Sequence, residues 1–191
     1  MPEVYVISGP NGAGKTTIAL TILPSLLETF EYVNADLIAS GLSAFQPESV
    51  AIQAGRIMLE RLDLLANSGV NFAFETTLAA RSFAPFLRKC QAQSYQVNLI
   101  YVWLDTPELA IERVEQRVLA GGHAIPVDII RRRYDRGRKN LVDLYLKLCD
   151  NWSIYDNSGP ELKIIATKEI NQPIICYDRI NWNQIISNSN D

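Results

Sequence analysis

Apolar runs of strand length alternate with stretches of helical periodicity along the whole chain. Val4-Tyr5-Val6-Ile7 makes Glu3–Ser8 a strand, and Ile18, Leu20, Ile22 and Leu23 make residues 16–27 a helix. Tyr32-Val33, continued by Asn34-Ala35-Asp36, reads as a short second strand. A long helix after Pro47 carries Val50, Ile52, Ile57, Met58, Leu59, Leu62, Leu64 and Leu65, and stops near Ser68-Gly69. Residues 71–75 form a third strand, residues 82–93 a helix with Pro85 in its first turn, and residues 97–104 a strand. The last is continuously apolar, as buried parallel strands are. Pro107 opens a helix to Leu119, Gly121-Gly122 breaks it, and Pro126 opens another that reaches about Asp150. Ile164-Ile165 is a last strand and residues 180–186 a last helix. The alternation predicts an α/β fold of three layers, a mainly parallel sheet with helices on both faces. Its ligand crevice belongs at the carboxyl ends of the strands.

At the first of those ends stands Gly9-Pro10-Asn11-Gly12-Ala13-Gly14-Lys15-Thr16-Thr17, which fits G-x-x-x-x-G-K-[ST] between a strand and a helix. Glycines let successive backbone N–H groups turn inward, and the following helix adds unpaired N–H groups and its positive dipole end. Lys15 then reaches the β- and γ-phosphates and the Thr16 hydroxyl can ligate Mg²⁺. The expectation is a P-loop NTPase/kinase fold that binds ATP and Mg²⁺.

Composition narrows the field without naming a function. The 191 residues suit one domain, 48% hydrophobic and 20% charged, with a net charge of −3 that points to neither a nucleic-acid nor a membrane partner. Cys90, Cys149 and Cys176 show no C-x-x-C spacing, so no zinc site or disulfide framework is expected. With no signal peptide pattern and no apolar run of ~18 residues, a cytoplasmic protein is expected.

Acids cluster at the predicted strand ends. Glu75 closes Phe72-Ala73-Phe74 in the manner of a Walker B segment, suited to holding Mg²⁺, directly or through water, or to contacting substrate. Thr76 and Thr77 follow it. Asp36 is either a general base for an attacking hydroxyl or a cap for the Leu37-Ile38 turn. Asp105, before Thr106-Pro107-Glu108, reads as a helix start. A basic concentration lies in residues 112–139, where Arg113, Arg117, Arg131, Arg132, Arg133, Arg136, Arg138 and Lys139 outnumber Glu112, Glu115, Asp128 and Asp135. On a helical wheel Arg132, Arg136 and Lys139 point to water, while Arg131, Arg133 and Arg138 flank the apolar stripe. Residues 113–138 thus make a helical lid hinged at Gly121-Gly122, with arginines to clamp a phosphoryl group. His123, the sole histidine, lies in that hinge and is either a surface residue or a substrate contact.

Taken together, the phosphate loop, Asp36, Phe74-Glu75-Thr76-Thr77-Leu78 and the segment Arg117…Gly121-Gly122-His123-Ala124-Ile125-Pro126 resemble the zeta-toxin family of P-loop kinases, over residues 1–158. The resemblance implies ATP-dependent phosphorylation of a sugar hydroxyl of UDP-N-acetylglucosamine and, for many members, inhibition by a small antitoxin protein. It implies Lys15 and Thr16 as nucleotide and metal contacts, Asp36 as base, Glu75 as substrate contact and Arg117 as lid arginine. Departures stand beside it. Asn34 occupies a position that usually carries a second acid, Leu37-Ile38-Ala39 lacks an arginine after the base, and His123 falls where a second lid arginine is expected. Arg131 or Arg133 can substitute there. Kinases of other small metabolites, and a nucleotide-dependent ATPase switch, remain alternatives on the same fold.

Overall fold

The computed structural model describes residues 1–26 and 31–187. Its elements run β1 Glu3–Ser8, α1 Lys15–Leu26, β2 Tyr32–Val33, α2 Ala35–Leu42, α3 Ala51–Ser68, β3 Phe72–Thr76, α4 Phe83–Ala92 and β4 Gln96–Trp103. There follow α5 Pro107–Leu119, α6 Val127–Asn140, α7 Leu146–Leu148, β5 Asn151–Asp156, β6 Lys163–Lys168, β7 Ile175–Cys176 and α8 Arg179–Ser187. The sheet order is β2-β3-β1-β4-β5-β6-β7. The first five strands in that order pair in parallel, while β6 and β7 add antiparallel. The mainly parallel sheet with helices on both faces is as the alternation predicts; the expected end of the first helix, Leu27, lies outside the described residues.

Side-chain alternation along the central strands divides the core in two. Val4, Val6, Phe72, Phe74, Leu99 and Tyr101 face α3 and α4 through Met58, Leu62 and Leu87. Tyr5, Ile7 and Ala73 face α1 through Ala19 and Leu23, and Val102 packs with Ala110 and Val114 of α5. Both faces of β1 and β4 are covered, which is why their sequences read as unbroken apolar runs.

The structure corrects the expected elements at four places, one of them β7, which follows the strand expected to be the last. β2 ends at Val33, and Asn34 caps α2 by accepting from the backbone N–H groups of Asp36 and Leu37, so Asp36 belongs to a helix and not to a strand end. The helix expected to reach about Asp150 does so to within two residues, continuing from α6 through a π turn at Leu141–Tyr145 into α7, and an unexpected strand, β5, follows it. The alternation in Asn151-Trp152-Ser153-Ile154-Tyr155, with Trp152 and Ile154 buried, is the strand signal that the apolar helix pattern before it obscured. Thr106, which accepts from Leu109 N–H at 3.2 Å, caps α5 in place of Asp105.

α6 helps to shape the ligand crevice because it crosses the carboxyl edge of the sheet from one face to the other. Ile130 and Tyr134 pack with the α5 cluster, whereas Leu141 and Tyr145, just beyond α6, belong to the opposite core. The Tyr134 hydroxyl donates to the Leu104 carbonyl at 2.6 Å, beyond the end of β4. Asn140 donates to the Leu78 carbonyl at 2.8 Å, beyond the end of β3, and accepts from Arg81 Nε at 3.0 Å. Between them Gly137 lies against the Thr77 backbone, where a Cβ would come within 2.4 Å of the carbonyl oxygen. Helix propensity alone makes Gly137→Ala stabilising by about 0.5–1 kcal/mol. The contact reverses the sign: chemical denaturation should show Gly137→Ala destabilised by about 1–3 kcal/mol, as for an overpacked core.

Candidate active site

β1 delivers the chain into the phosphate loop at the middle of the sheet. Gly9, with φ +142°, lies so close to β4 that a Cβ would meet the Val102 carbonyl oxygen at 2.1 Å. Gly12 and Gly14 also have positive φ. The loop is tied from outside by the Asn157 side chain, which donates to the Ala13 carbonyl at 2.9 Å. Three glycines with positive φ curl the loop, and α1 begins at Lys15 with its free N–H groups behind it, so the residues fit a polyphosphate. The buried Asn11 Oδ1 has no hydrogen-bond partner among the described residues.

Lys15 folds over this loop, its ammonium donating to the Pro10 carbonyl at 2.8 Å and lying 3.6 Å from Glu75 Oε1. Burial lowers its pKa from the usual lysine value, with the charges of Glu75 and Asp36 opposing. Arg117 stands close enough for its charge to act on Lys15 as well.

Glu75, at the end of β3, accepts three hydrogen bonds on Oε2: from Thr16 Oγ1 at 2.7 Å, from Asn34 Nδ2 at 2.9 Å, and from the Tyr32 hydroxyl. Burial and the neighbouring Glu75 raise the Tyr32 pKa beyond the ordinary tyrosine range, so this hydroxyl is a donor throughout. Among the described residues no group of three or more histidines, cysteines or acids is arranged to hold a metal. Thr16 remains a fit donor for Mg²⁺ shared with phosphate, since that ion is commonly held by few protein oxygens together with phosphate and water.

In front of this centre opens a cavity of about 560 Å³. Lys15, Asp36, Glu75, Thr76 and Thr77 line it together with Arg56, Arg132, Arg133 and Arg136, and Ile52, Met58, Leu59 and Phe83 add an apolar wall. Arg132 and Arg136 are exposed to solvent, as on the helical wheel, and also line this open cleft. A wheel locates the buried stripe, but which flank meets a cleft depends on the path of α6 across the strand ends. Thr76 Oγ1 accepts from the Leu78 N–H at 3.1 Å and braces a turn in which Leu78 holds φ +57° with its side chain buried. Asn140 holds the same turn from α6.

The remaining predicted residues divide. Arg117 donates to the His123 carbonyl at 3.2 Å, and its buried Nε has no partner among the described residues. The α5 end there is a Schellman motif: Gly121 N–H bonds to the Val118 carbonyl and Gly122 N–H to the Arg117 carbonyl, with Gly121 at φ +89°. The two glycines thus build a capped helix end that wraps the Arg117 side chain. His123 lines an adjoining cavity of about 350 Å³, shared with Asp36, Arg132 and Arg133. Arg131 is not brought to the cleft; it pairs with Glu108 at the start of α5. Sequence reasoning overlooked Tyr32, Arg56 and the contacts of Asn34, Asn140 and Asn157. Only Asn34 carried a signal, as an asparagine ahead of a helical turn.

Comparison with known proteins identifies the lineage. The Zeta toxin family matches residues 42–168, which lie C-terminal to the phosphate loop. An uncharacterized protein of Haemophilus influenzae is 27% identical over 126 residues, 66% of this chain and 88% of that protein. Among solved structures, a chain of the AvrRxo1-ORF1:-ORF2 complex with ATP matches at a TM-score of 0.78 and 16% identity, over 97% of this chain and 63% of its own length. A chain from the PezAT toxin–antitoxin system of Streptococcus pneumoniae matches at 0.68 and 17% identity, over 98% and 79%. At those identities the structures establish the fold. The sequence match, spanning well over half of the residues, establishes the family: the chain belongs to the zeta toxins.

Proposed function

We propose that the protein is an ATP-dependent kinase, built as one P-loop domain with a lid at about 113–138, that phosphorylates a hydroxyl of an anionic small molecule. A sugar nucleotide such as UDP-N-acetylglucosamine is the favoured acceptor. One observation carries the reading: Asp36 and four arginines share a single cleft with Lys15 of the phosphate loop. Four guanidinium groups against two acids suit an acceptor that brings its own phosphates, and arginine is the side chain best matched to them.

In this reading Asp36 accepts the proton of the acceptor hydroxyl as its oxygen bonds to the γ-phosphorus and ADP departs. Lys15 and Arg117 offset charge on the phosphoryl group in transfer. Thr16 would hold Mg²⁺, with Glu75 accepting from its hydroxyl; bound Mg²⁺ neutralises charge building on the phosphate oxygens. Thr76 and His123 line the acceptor side. The segment 121–126 limits water at the transferred group, which a kinase needs if ATP is not to be hydrolysed. The family adds an antitoxin protein as partner. No described helix is long and apolar enough to cross a membrane, and a cytoplasmic site of action, with ATP at hand, agrees with the reading.

The direct test is incubation with radiolabelled ATP and a panel of acceptors including UDP-N-acetylglucosamine. Label on a sugar nucleotide supports the proposal; ATP hydrolysis with no acceptor labelled points to a nucleotide-driven switch.

Asp36→Asn should cut acceptor phosphorylation by roughly 10²–10⁴-fold, the usual worth of positioned acid–base catalysis, while ATP affinity measured by calorimetry stays unchanged. Turnover near wild type would remove Asp36 from the mechanism.

The two arginines nominated from the sequence should separate. Arg117→Ala should lower transfer on the order of 10²-fold, as loss of a preorganised donor does. Arg131→Ala should leave both turnover and melting temperature near wild type, since it breaks only an exposed ion pair. Parallel steady-state kinetics on the two variants checks this.

A further inference from the structure

Asp36 is exposed, and its carboxylate makes no hydrogen bond to any described residue. Whatever orients it must therefore act through the helical turn on which it stands. Ala35 and Ile38 pack that turn against the core, and one side chain ties it by hydrogen bonds. Asn34 Oδ1 accepts from the backbone N–H groups of Asp36 at 2.8 Å and Leu37 at 3.3 Å, while Nδ2 donates to Glu75 Oε2 at 2.9 Å. The same Nδ2 lies 3.2 Å from the Tyr32 hydroxyl. Asn34 is 5% exposed, so water competes little for either end.

Capping alone does not explain an asparagine here. Asparagine, aspartate and serine cap helices about equally well, because only a side-chain oxygen is needed. Aspartate at this position would set a second carboxylate against Glu75 at hydrogen-bonding distance. Serine would cap but offer nothing to Glu75. The amide alone among these joins the first turn of α2 to the buried acid beside the phosphate loop.

The geometry points to Asn34 as a positioning residue: it fixes the Asp36 carboxylate relative to the phosphate loop by pinning the first turn of α2 to Glu75. This inference rests on the reading of Asp36 as the proton acceptor. Misplacing a reacting group by about 1 Å costs about 10²-fold in rate, so the link acts on turnover and not on binding.

Asn34→Ser keeps the cap and deletes the link; Asn34→Ala deletes both. For Asn34→Ser we expect the kcat of acceptor phosphorylation to fall at least about tenfold, with the KM for acceptor and the Kd for ATP within about threefold of wild type. Wild-type kcat in Asn34→Ser, with only Asn34→Ala showing a lower melting temperature, would overturn the inference and leave Asn34 a plain cap. A second measurement needs no turnover. In Glu75→Ala the cap is intact but its anchor is gone, so amide hydrogen exchange at Asp36 and Leu37 should quicken at least about threefold. Unchanged exchange there would equally overturn the positioning role. Wild-type protein that labels no acceptor would sink the kinase reading instead, and the exchange measurement would still decide how α2 is held.

Discussion

A largely buried carboxylate, that of Glu75, organises the centre of this molecule. Removing a charge from water is costly unless donors replace the lost solvation, and unpaired buried acids are correspondingly rare. Glu75 meets that demand with donors drawn from three parts of the chain: Thr16 at the start of α1, Tyr32 on β2, and Asn34 at the cap of α2, with the Lys15 ammonium facing the other oxygen. Satisfying one charge therefore registers the phosphate loop, the edge strand and the helix bearing Asp36 against β3. Any change that moves one of these elements leaves part of the carboxylate unsatisfied.

The opposite wall of the cleft is set by a different constraint, the route of α6. A helix can cross the carboxyl edge of a sheet only where the strand-end turns give it room and hydrogen bonds to replace those of water. Gly137 supplies the room above Thr77, and Tyr134 and Asn140 supply the bonds at Leu104 and Leu78. Arg132, Arg133 and Arg136 are then carried over the strand ends. A chain of net charge −3 thereby acquires a strongly basic cleft, a local field that attracts anions independently of the overall charge.

Membership of the zeta toxins rests on residues 42–168, whereas the proposed nucleotide binding rests on the loop before them. The two regions meet at Glu75, which the family segment contributes and the phosphate loop contacts through Lys15 and Thr16. At Asn34, where the resemblance anticipates a second acid, the amide donates to Glu75 where a carboxylate would repel it.

What the residues determined alone is the local part. The phosphate loop was legible because glycine spacing, Lys15 and Thr16 act within a few residues of one another, and the central strands because burial on both faces leaves continuous apolar runs. Helix ends were less legible: Asp36 was assigned to a strand because the cap that starts α2 is a single side chain, and β5 was hidden behind a helix of similar hydrophobicity. The assembled site was decided by tertiary structure. The water-facing Arg132 and Arg136 proved to line the cleft as well, Arg131 went to an ion pair with Glu108, and Arg56 arrived from a helix with no motif at all. Such placements depend on which flank of a helix meets another element, a relation between residues distant in sequence that no local periodicity records.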